Sequence, residues 1–102
     1  MEHISGIAAN LKGEVTAYGK GAEAIFGYTP SEILGKNVAV FHPPGAEATL
    51  QELFSTAMEK GLWEKDVVLV RKNGQHFRAR LKVTAIRDKG VITGLLGTTR
   101  EL

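Results

Sequence analysis

The stretch from Ala22 to Asn37, AEAIFGYTPSEILGKN, constrains the fold most, because it encodes two short helices and the residues that end them. In its first half, Ala22, Ile25 and Phe26 stand at helical spacing. Gly27 follows where helices commonly end in a left-handed residue, a conformation that glycine adopts without a Cβ clash. The pattern therefore predicts a first short helix that ends at Gly27.

A second short helix is predicted directly after the first. Thr29 is a suitable N-cap, and Pro30 suits the first helical position, where its missing N–H would have no helical partner. Glu32 can accept a hydrogen bond from the cap residue and complete a capping box. Gly35 ends this turn.

A longer helix is predicted from about residue 45 to residue 60, after two prolines and before Gly61. Its apolar residues recur at helical spacing and predict one stripe that faces the core: Leu50, Leu53, Phe54, Ala57 and Met58. The opposite side carries charged and polar residues, which is typical of a solvated helix face.

Five strands are predicted around these helices. Residues 6–11 and 14–18 suggest a hairpin, and Trp63–Arg71 precedes a strand in which apolar and polar residues alternate. The inward residues of that alternating strand are Phe77, Ala79, Leu81, Val83 and Ala85. The last strand, Val91–Leu102, contains two glycines, and its predicted inward set is Leu95, Gly97 and Thr99.

The hairpin between the third and fourth strands has a predicted register. Leu69 faces the core together with Leu81 only if the loop has an odd number of residues, because a one-residue slip turns a strand over. A three-residue loop at residues 73–75 satisfies this condition, and Gly74 supplies the left-handed residue. The same register places Asp66 opposite Lys82 on the outer face.

Several motifs occur in one order: GYTPSEILGK at residues 27–36, Trp63, RKNG at 71–74, IRDKG at 86–90 and TTREL at 98–102. In this order they resemble the PAS sensor domain family. The segment 19–21, Gly-Lys-Gly, departs from the pattern, because many PAS sequences carry an asparagine there. The resemblance implies a sensing or interaction module. Glu101 stands where the family's terminal motif has an aspartate. In the family, this terminal segment transmits the signal to an output helix.

These elements predict an α+β fold, a PAS-like five-stranded antiparallel sheet with short helices and one longer helix packed on one face. The length of 102 residues suits a single PAS-like domain over residues 1–102. Residues 1–5 show no amphipathic pattern and are expected to form a disordered tail.

Composition excludes several classes of protein. The chain is 43% hydrophobic and 24% charged, and no apolar run approaches the roughly 20 residues of a membrane helix. It has no cysteine and no secretory leader, so we expect a cytoplasmic location in a prokaryote. The net charge of +2 is evenly spread, and neither nucleic acid nor a membrane is expected as a partner.

A concave sheet under short helices leaves room for an apolar pocket, where small ligands tend to bind. The predicted walls are Ile25, Phe26, Leu34, Phe41, Leu53, Phe54, Leu69, Leu81 and Leu95. The candidate binding residues are His42, Trp63, Phe41, Phe54, Leu69, Leu81, Leu95 and Thr99. The alternative is a filled core, in a cofactor-free domain that mediates dimerisation and protein–protein interaction.

The resemblance also raises three cofactors. The light-sensing branch of the family joins flavin mononucleotide to a cysteine, which this chain lacks, so that adduct is excluded. The branch also binds the flavin through amide side chains, and the matching positions here are Leu69, Ala79 and Thr99, which carry no amide. FAD through Trp63 and haem through His42, which stands in the segment FHPP, remain lesser alternatives. The preferred expectation is that no cofactor is bound.

Catalysis is not expected, because the sequence has no cysteine nucleophile, no phosphate-binding glycine loop and no cluster of metal-ligating residues. On the outer face of the sheet, Val68 and Val70 beside Ile86 and Ile92 form an apolar centre that favours a homodimer. The resemblance further implies an attached or separate signalling output domain, such as a histidine kinase.

Overall fold

The computed structural model describes residues 4–102 and has nine elements. They are β1 (Ile4–Asn10), β2 (Val15–Tyr18), α1 (Lys20–Phe26), α2 (Pro30–Ile33), a 3-10 turn (Val38–Phe41), α3 (Glu47–Lys60), β3 (Leu62–Val70), β4 (His76–Asp88) and β5 (Val91–Glu101). The strands form one antiparallel sheet in the order β2-β1-β5-β4-β3. The helices pack on one face of this sheet, which confirms the predicted α+β fold.

The prediction of a tail at residues 1–5 is wrong for its last two residues. Ile4 and Ser5 belong to β1, where they pair with Arg100 and Thr99 of β5, and Ser5 is fully buried. Their order comes from a strand about 95 residues away, and no local sequence pattern reports such a partner. Residues 1–3 lie outside the described part of the chain.

The two short helices form as predicted. Gly27 ends α1 with φ of 86°, and its N–H donates to the carbonyl of Glu23. At the start of α2, the backbone N–H of Thr29 donates to the Glu32 carboxylate at 2.8 Å. The same carboxylate pairs with Lys72 of the β3–β4 loop, so this capping residue also joins α2 to the sheet. These contacts lower the pKa of Glu32 to about 2, with the hydrogen bond from Lys72 as the largest cause.

The predicted register of the β3–β4 hairpin is wrong by two residues. Asp66 pairs with Arg80 rather than with Lys82. The backbone N–H of Arg71 donates to the carbonyl of Gln75, so the three loop residues are 72–74. This loop puts Gly74, with φ of 89°, at the third position, where a three-residue loop needs its left-handed residue. The loop length and the inward set were predicted correctly, because a shift of two keeps every side chain on its face.

Helix α3 begins two residues later than the predicted residue 45 and ends at Gly61, whose φ is 82°. Leu53 and Ala57 are buried, whereas Met58 is 38% exposed. The prediction of Met58 in the buried stripe is wrong, because Met58 lies about 100° around the helix from Ala57. The contact between α3 and the sheet is therefore narrower than the apolar pattern indicated.

The core has two parts. Under α1, the ring of Phe26 lies 4.6 Å from that of Phe41 and 5.7 Å from that of Phe77, measured between centroids. Under α3, Trp63 of β3 is buried, and its indole N–H donates to Glu52 at 2.9 Å. The space between these two parts contains the candidate site. Within residues 4–102, no helix combines the length and the apolar composition that crossing a membrane requires.

Candidate functional site

A cavity of about 60 Å³ lies between the sheet and the helices. Strands β1, β3, β4 and β5, helices α1 and α3, and the segment 38–42 all contribute to its wall. The lining residues are Ile7, Ala9, Phe26, Val38, Phe41, His42, Leu50, Leu53, Phe54, Leu69, Leu81, Val83, Leu95, Gly97 and Thr99. Inward positions of neighbouring strands come together here, because side chains alternate between the two faces of a sheet.

The structure brings together seven of the eight candidate binding residues. The seven that line the cavity are His42, Phe41, Phe54, Leu69, Leu81, Leu95 and Thr99. Trp63 is the exception, because it packs against α3 and its indole N–H is held by Glu52. The hydrogen bonds that Glu52 accepts from Lys65 and Trp63 lower the pKa of its carboxyl group.

Two predicted wall residues lie elsewhere. Leu34 is 47% exposed, because it follows the last residue of α2 with an extended backbone, and Ile33 is buried in its place. Ile25 is buried but lines a second hollow, beside Arg71 and Lys72, instead of the cavity. The prediction of Leu34 in the core is therefore wrong by one residue, since α2 ends one residue earlier than its apolar pattern indicated.

Sequence reasoning missed part of the lining. Ile7 and Ala9 alternate in β1, and Val83 belongs to the alternating set of β4. Alternation predicted Val83 as inward, and no face was predicted for Ile7 and Ala9. The distance of all three from the cavity depends on the strand order β1-β5-β4. Leu50 is in the predicted stripe of α3, and that stripe was the available signal for it.

His42 provides the titratable group of the lining. It follows the 3-10 turn and is partly buried, and this burial lowers the pKa of its imidazole to about 4. The imidazole is therefore neutral near pH 7. A neutral imidazole both donates and accepts a hydrogen bond, through different nitrogen atoms.

A pair of hydroxyl side chains lies next to the cavity. Thr99 of β5 lines it and is buried, and Ser5 of β1 stands directly opposite Thr99 in the register. The Ser5 hydroxyl is buried without a hydrogen-bond partner among the described residues. An unpaired buried hydroxyl is costly, and Ser5, unlike Thr99, does not itself line the cavity.

Arg71 joins the helical wall of the site to the end of the last strand. Its guanidinium donates to the carbonyl of Ile25 at 2.7 Å and pairs with Glu101 at 2.8 Å. The guanidinium also lies 4.0 Å from the centroid of the Phe77 ring, and the negative face of an aromatic ring attracts a cation. Helix α1 and the C-terminal end of β5 are therefore tied through one side chain.

The outer face of the sheet, which faces away from the helices, has an apolar row across three central strands. Ala8 of β1 stands opposite Leu96 of β5, and Leu96 stands opposite Thr84 of β4. Leu62 of β3 lies beside Thr84 on its other side. Val68, on the same face, is 43% exposed. Elsewhere on this face Arg80 bonds both Glu64 and Asp66, at 3.2 and 3.1 Å. In the part of the chain from residue 4 onward, no three histidine or acidic side chains come close enough to hold a metal ion.

A five-stranded antiparallel sheet that encloses a small apolar cavity with helices on one face defines a PAS-like α+β domain. The model of the PAS domain family matches residues 4–102, and the chain therefore belongs to the PAS family, whose members are sensory and signalling modules.

The relatives agree with this assignment. A PAS domain from Colwellia psychrerythraea has the same fold with a TM-score of 0.93 at 24% identity, covering 98% of this chain and 86% of that one. A PAS domain of a LuxR-family transcriptional regulator from Burkholderia thailandensis, solved with ethanol, has a TM-score of 0.81 at 16% identity, covering 97% and 88%. A Light-Oxygen-Voltage domain studied with a flavin analogue has a TM-score of 0.75 at 25% identity, covering 96% and 76%.

Among curated proteins, the chain is similar to a probable serine/threonine-protein kinase of Dictyostelium discoideum. The two are 29% identical over 91 residues, which is 83% of this chain. The chain spans 6% of the length of that relative.

Proposed function

We propose that this domain is the input module of a signal-transduction protein, which binds a small ligand in its apolar cavity and relays the change through β5. The observation that carries this proposal is the double role of β5. Its residues Leu95, Gly97 and Thr99 line the cavity, and the same strand runs on to Glu101. A ligand that moves the cavity wall acts directly on the strand that leads out of the domain.

Arg71 supports the relay. Its contacts with Ile25 and Glu101 connect the end of α1, which carries the cavity residue Phe26, to the end of β5. A displacement of α1 by a ligand therefore changes the support of Glu101 as well. The Burkholderia thailandensis PAS domain, whose structure was solved with ethanol, supports a small ligand in this fold.

Haem and FAD do not fit the site in this structure. Pockets for drug-sized ligands measure about 300–1,000 Å³, and this cavity measures about 60 Å³. Trp63, the residue considered for FAD, packs against α3 instead of lining the cavity. His42 does line it, but a porphyrin beside the imidazole needs far more than this volume. We therefore assign no step to either group.

The experiment that tests ligand binding is a screen of small molecules for compounds that raise the melting temperature of the domain, compared between two glycine variants. In Gly97→Ala, the new methyl group enters the cavity wall, where it would lie 3.8 Å from Leu81 and 3.7 Å from the Ile7 carbonyl. In Gly6→Ala, the methyl group has no atom within 4 Å. We expect ligands to lose their effect in Gly97→Ala and to keep it in Gly6→Ala. Equal effects in both variants would place the binding site elsewhere.

A homodimer through the outer sheet face is the second candidate. The exposed apolar residues Leu62 and Leu96 lie close together on this face and support it, because an exposed apolar patch commonly marks an interaction surface. Val68 is a further exposed apolar residue on this face, six residues along β3 from Leu62. In this alternative the domain needs no ligand, and its cavity is a packing defect of the core. The two functions are compatible, since they use opposite faces of the sheet.

Further parts of the proposal concern the whole protein. We propose that the domain itself is not an enzyme and that it regulates an attached or separate output domain. The similarity to a probable protein kinase supports a kinase output in general, without favouring a histidine kinase. A cytoplasmic location in a prokaryote remains a prediction from the sequence.

A further inference from the structure

We propose that the cavity selects a short neutral alcohol, with about three to five non-hydrogen atoms, whose hydroxyl group is bound between His42 and Thr99. This inference rests on the proposed function, since it names the ligand class of the same cavity. Size, charge and hydrogen-bonding groups support it separately.

The size of the cavity sets an upper limit on the ligand. One water molecule needs about 10–15 Å³ of such space, and a cavity of about 150 Å³ binds benzene. The cavity here measures about 60 Å³, which leaves room for a few atoms and not for an aromatic ring. A ligand of this size gains affinity from the apolar wall mainly through a short alkyl chain.

The charge of the lining excludes ionised ligands. Among residues 4–102, the lining contains no lysine, arginine, aspartate or glutamate. Burial lowers the pKa of His42, so the imidazole is neutral near pH 7 and gives no positive charge to a carboxylate. An ion in this cavity would lose its hydration without gaining a partner.

The polar groups of the lining require a partner that both donates and accepts. The imidazole of His42 lines the cavity, and in its neutral form it offers one donor and one acceptor nitrogen. Thr99 also lines the cavity, and its hydroxyl group both donates and accepts. An alcohol both donates and accepts through one oxygen atom, whereas a ketone or an ester only accepts. The alcohol therefore satisfies the imidazole and the hydroxyl together.

The test is a titration of the domain with four probes. Binding is monitored through the NMR signals of the methyl groups of Leu81 and Leu95, which line the cavity. The probes are 1-propanol, propionate, benzyl alcohol and xenon, which reports an open apolar cavity whatever its polar groups. We expect 1-propanol to saturate these shifts with a Kd in the range of roughly millimolar, and propionate and benzyl alcohol to leave them unchanged.

Two variants then assign the hydrogen bonds. In Thr99→Val and in His42→Leu, we expect 1-propanol to bind about three- to tenfold more weakly, with xenon binding preserved. The comparison of 1-propanol with propionate in the parent protein needs no variant, so the proposal remains testable if a variant fails to fold.

The outcomes separate this inference from the proposed function. If xenon binds but 1-propanol binds no better than propionate, or if both variants bind 1-propanol as tightly as the parent protein does, the alcohol is overturned and the ligand cavity is left intact. Failure of every probe, xenon included, to shift the signals would overturn both.

Discussion

Gly94 shows how closely two backbones approach in this sheet. It lies in β5 opposite Asn10, and a Cβ added to it would come within 2.4 Å of the carbonyl oxygen of Ala9. Real Cβ atoms do not come this close to a backbone oxygen, so β1 or β5 would have to move. The glycine is therefore a requirement of the β1–β5 pairing.

We expect Gly94→Ala to lower the free energy of unfolding by about 1–3 kcal/mol, because overpacking shifts the backbone. Urea unfolding followed by circular dichroism measures this change. Gly6→Ala is the matched control, a strand glycine with open space around its Cβ, and it should be neutral or stabilising by a few tenths of a kcal/mol. Equal values for the two variants would contradict the close approach.

The buried His42 makes stability depend on pH. Its pKa is lowered from 6.5 in the unfolded chain to about 4 in the folded protein by burial. Between these values the unfolded chain binds a proton that the folded protein does not, so stability falls as the pH is lowered from about 6.5 towards 4. Above about pH 6.5 the contribution is fully present.

We expect the free energy of unfolding to fall by about 1–2 kcal/mol between pH 7 and pH 5, after allowance for the partial exposure of His42. His42→Gln should remove most of this fall, whereas His76→Gln, at an exposed position of β4, should leave it unchanged. The low pKa of Glu32 contributes stability that is lost only when the pH falls below about 4.5. This loss lies outside the range from pH 7 to pH 5. An unaltered pH dependence in His42→Gln would show that other groups cause it.

At the scale of elements, α3 contacts the sheet through a narrow stripe. Leu53 is buried and lines the cavity, whereas Met58 is 38% exposed. We expect Leu53→Ala to cost about 2–5 kcal/mol and Met58→Ala to change stability by less than about 0.5 kcal/mol. Denaturant unfolding of both variants measures the difference. Similar costs would mean that Met58 is in the stripe, as its sequence spacing alone suggests.

The elements were predicted better than their ends and partners. The cap residues Thr29 and Glu32 interact with neighbours within a few residues, and the structure shows the capping box that the sequence predicted. The end of α2 was misplaced by one residue at Leu34, because it depends on which apolar residue the core accepts. The hairpin register was misplaced by two residues. A pattern of period two cannot distinguish registers that differ by two.

At the scale of the whole molecule, the proposed homodimer places the outer sheet face against a second copy of the chain. We expect the parent domain to be a dimer and Val68→Glu to be a monomer, because the substitution replaces an apolar contact with a hydrated charge opposite Arg78. Light scattering coupled to gel filtration measures the mass. Leu34→Glu is the control, an exposed apolar residue that follows α2 on the helical side. Retention of the dimer by Val68→Glu, or its loss in Leu34→Glu, would count against this face.

The candidate site was predictable in its residue types more than in its shape. Seven of the proposed binding residues line the cavity, because inward alternation and helical spacing selected apolar residues around it. Trp63 was misplaced, since its pairing with Glu52 of α3 depends on where α3 crosses β3. The buried hydroxyl of Ser5 had no sequence signal, because β5 supplies its neighbour from the other end of the chain.

The sequence by itself determined the short helices with their caps, the long helix, the alternating strands and the family to which the chain belongs. These features depend on interactions within a few residues, or on motifs in a fixed order. The tertiary structure alone decided the cavity volume, the neutral imidazole of His42 inside it and the link from Ile25 through Arg71 to Glu101. The physical reason is that packing density, desolvation and ion pairing depend on distances between residues far apart in the chain.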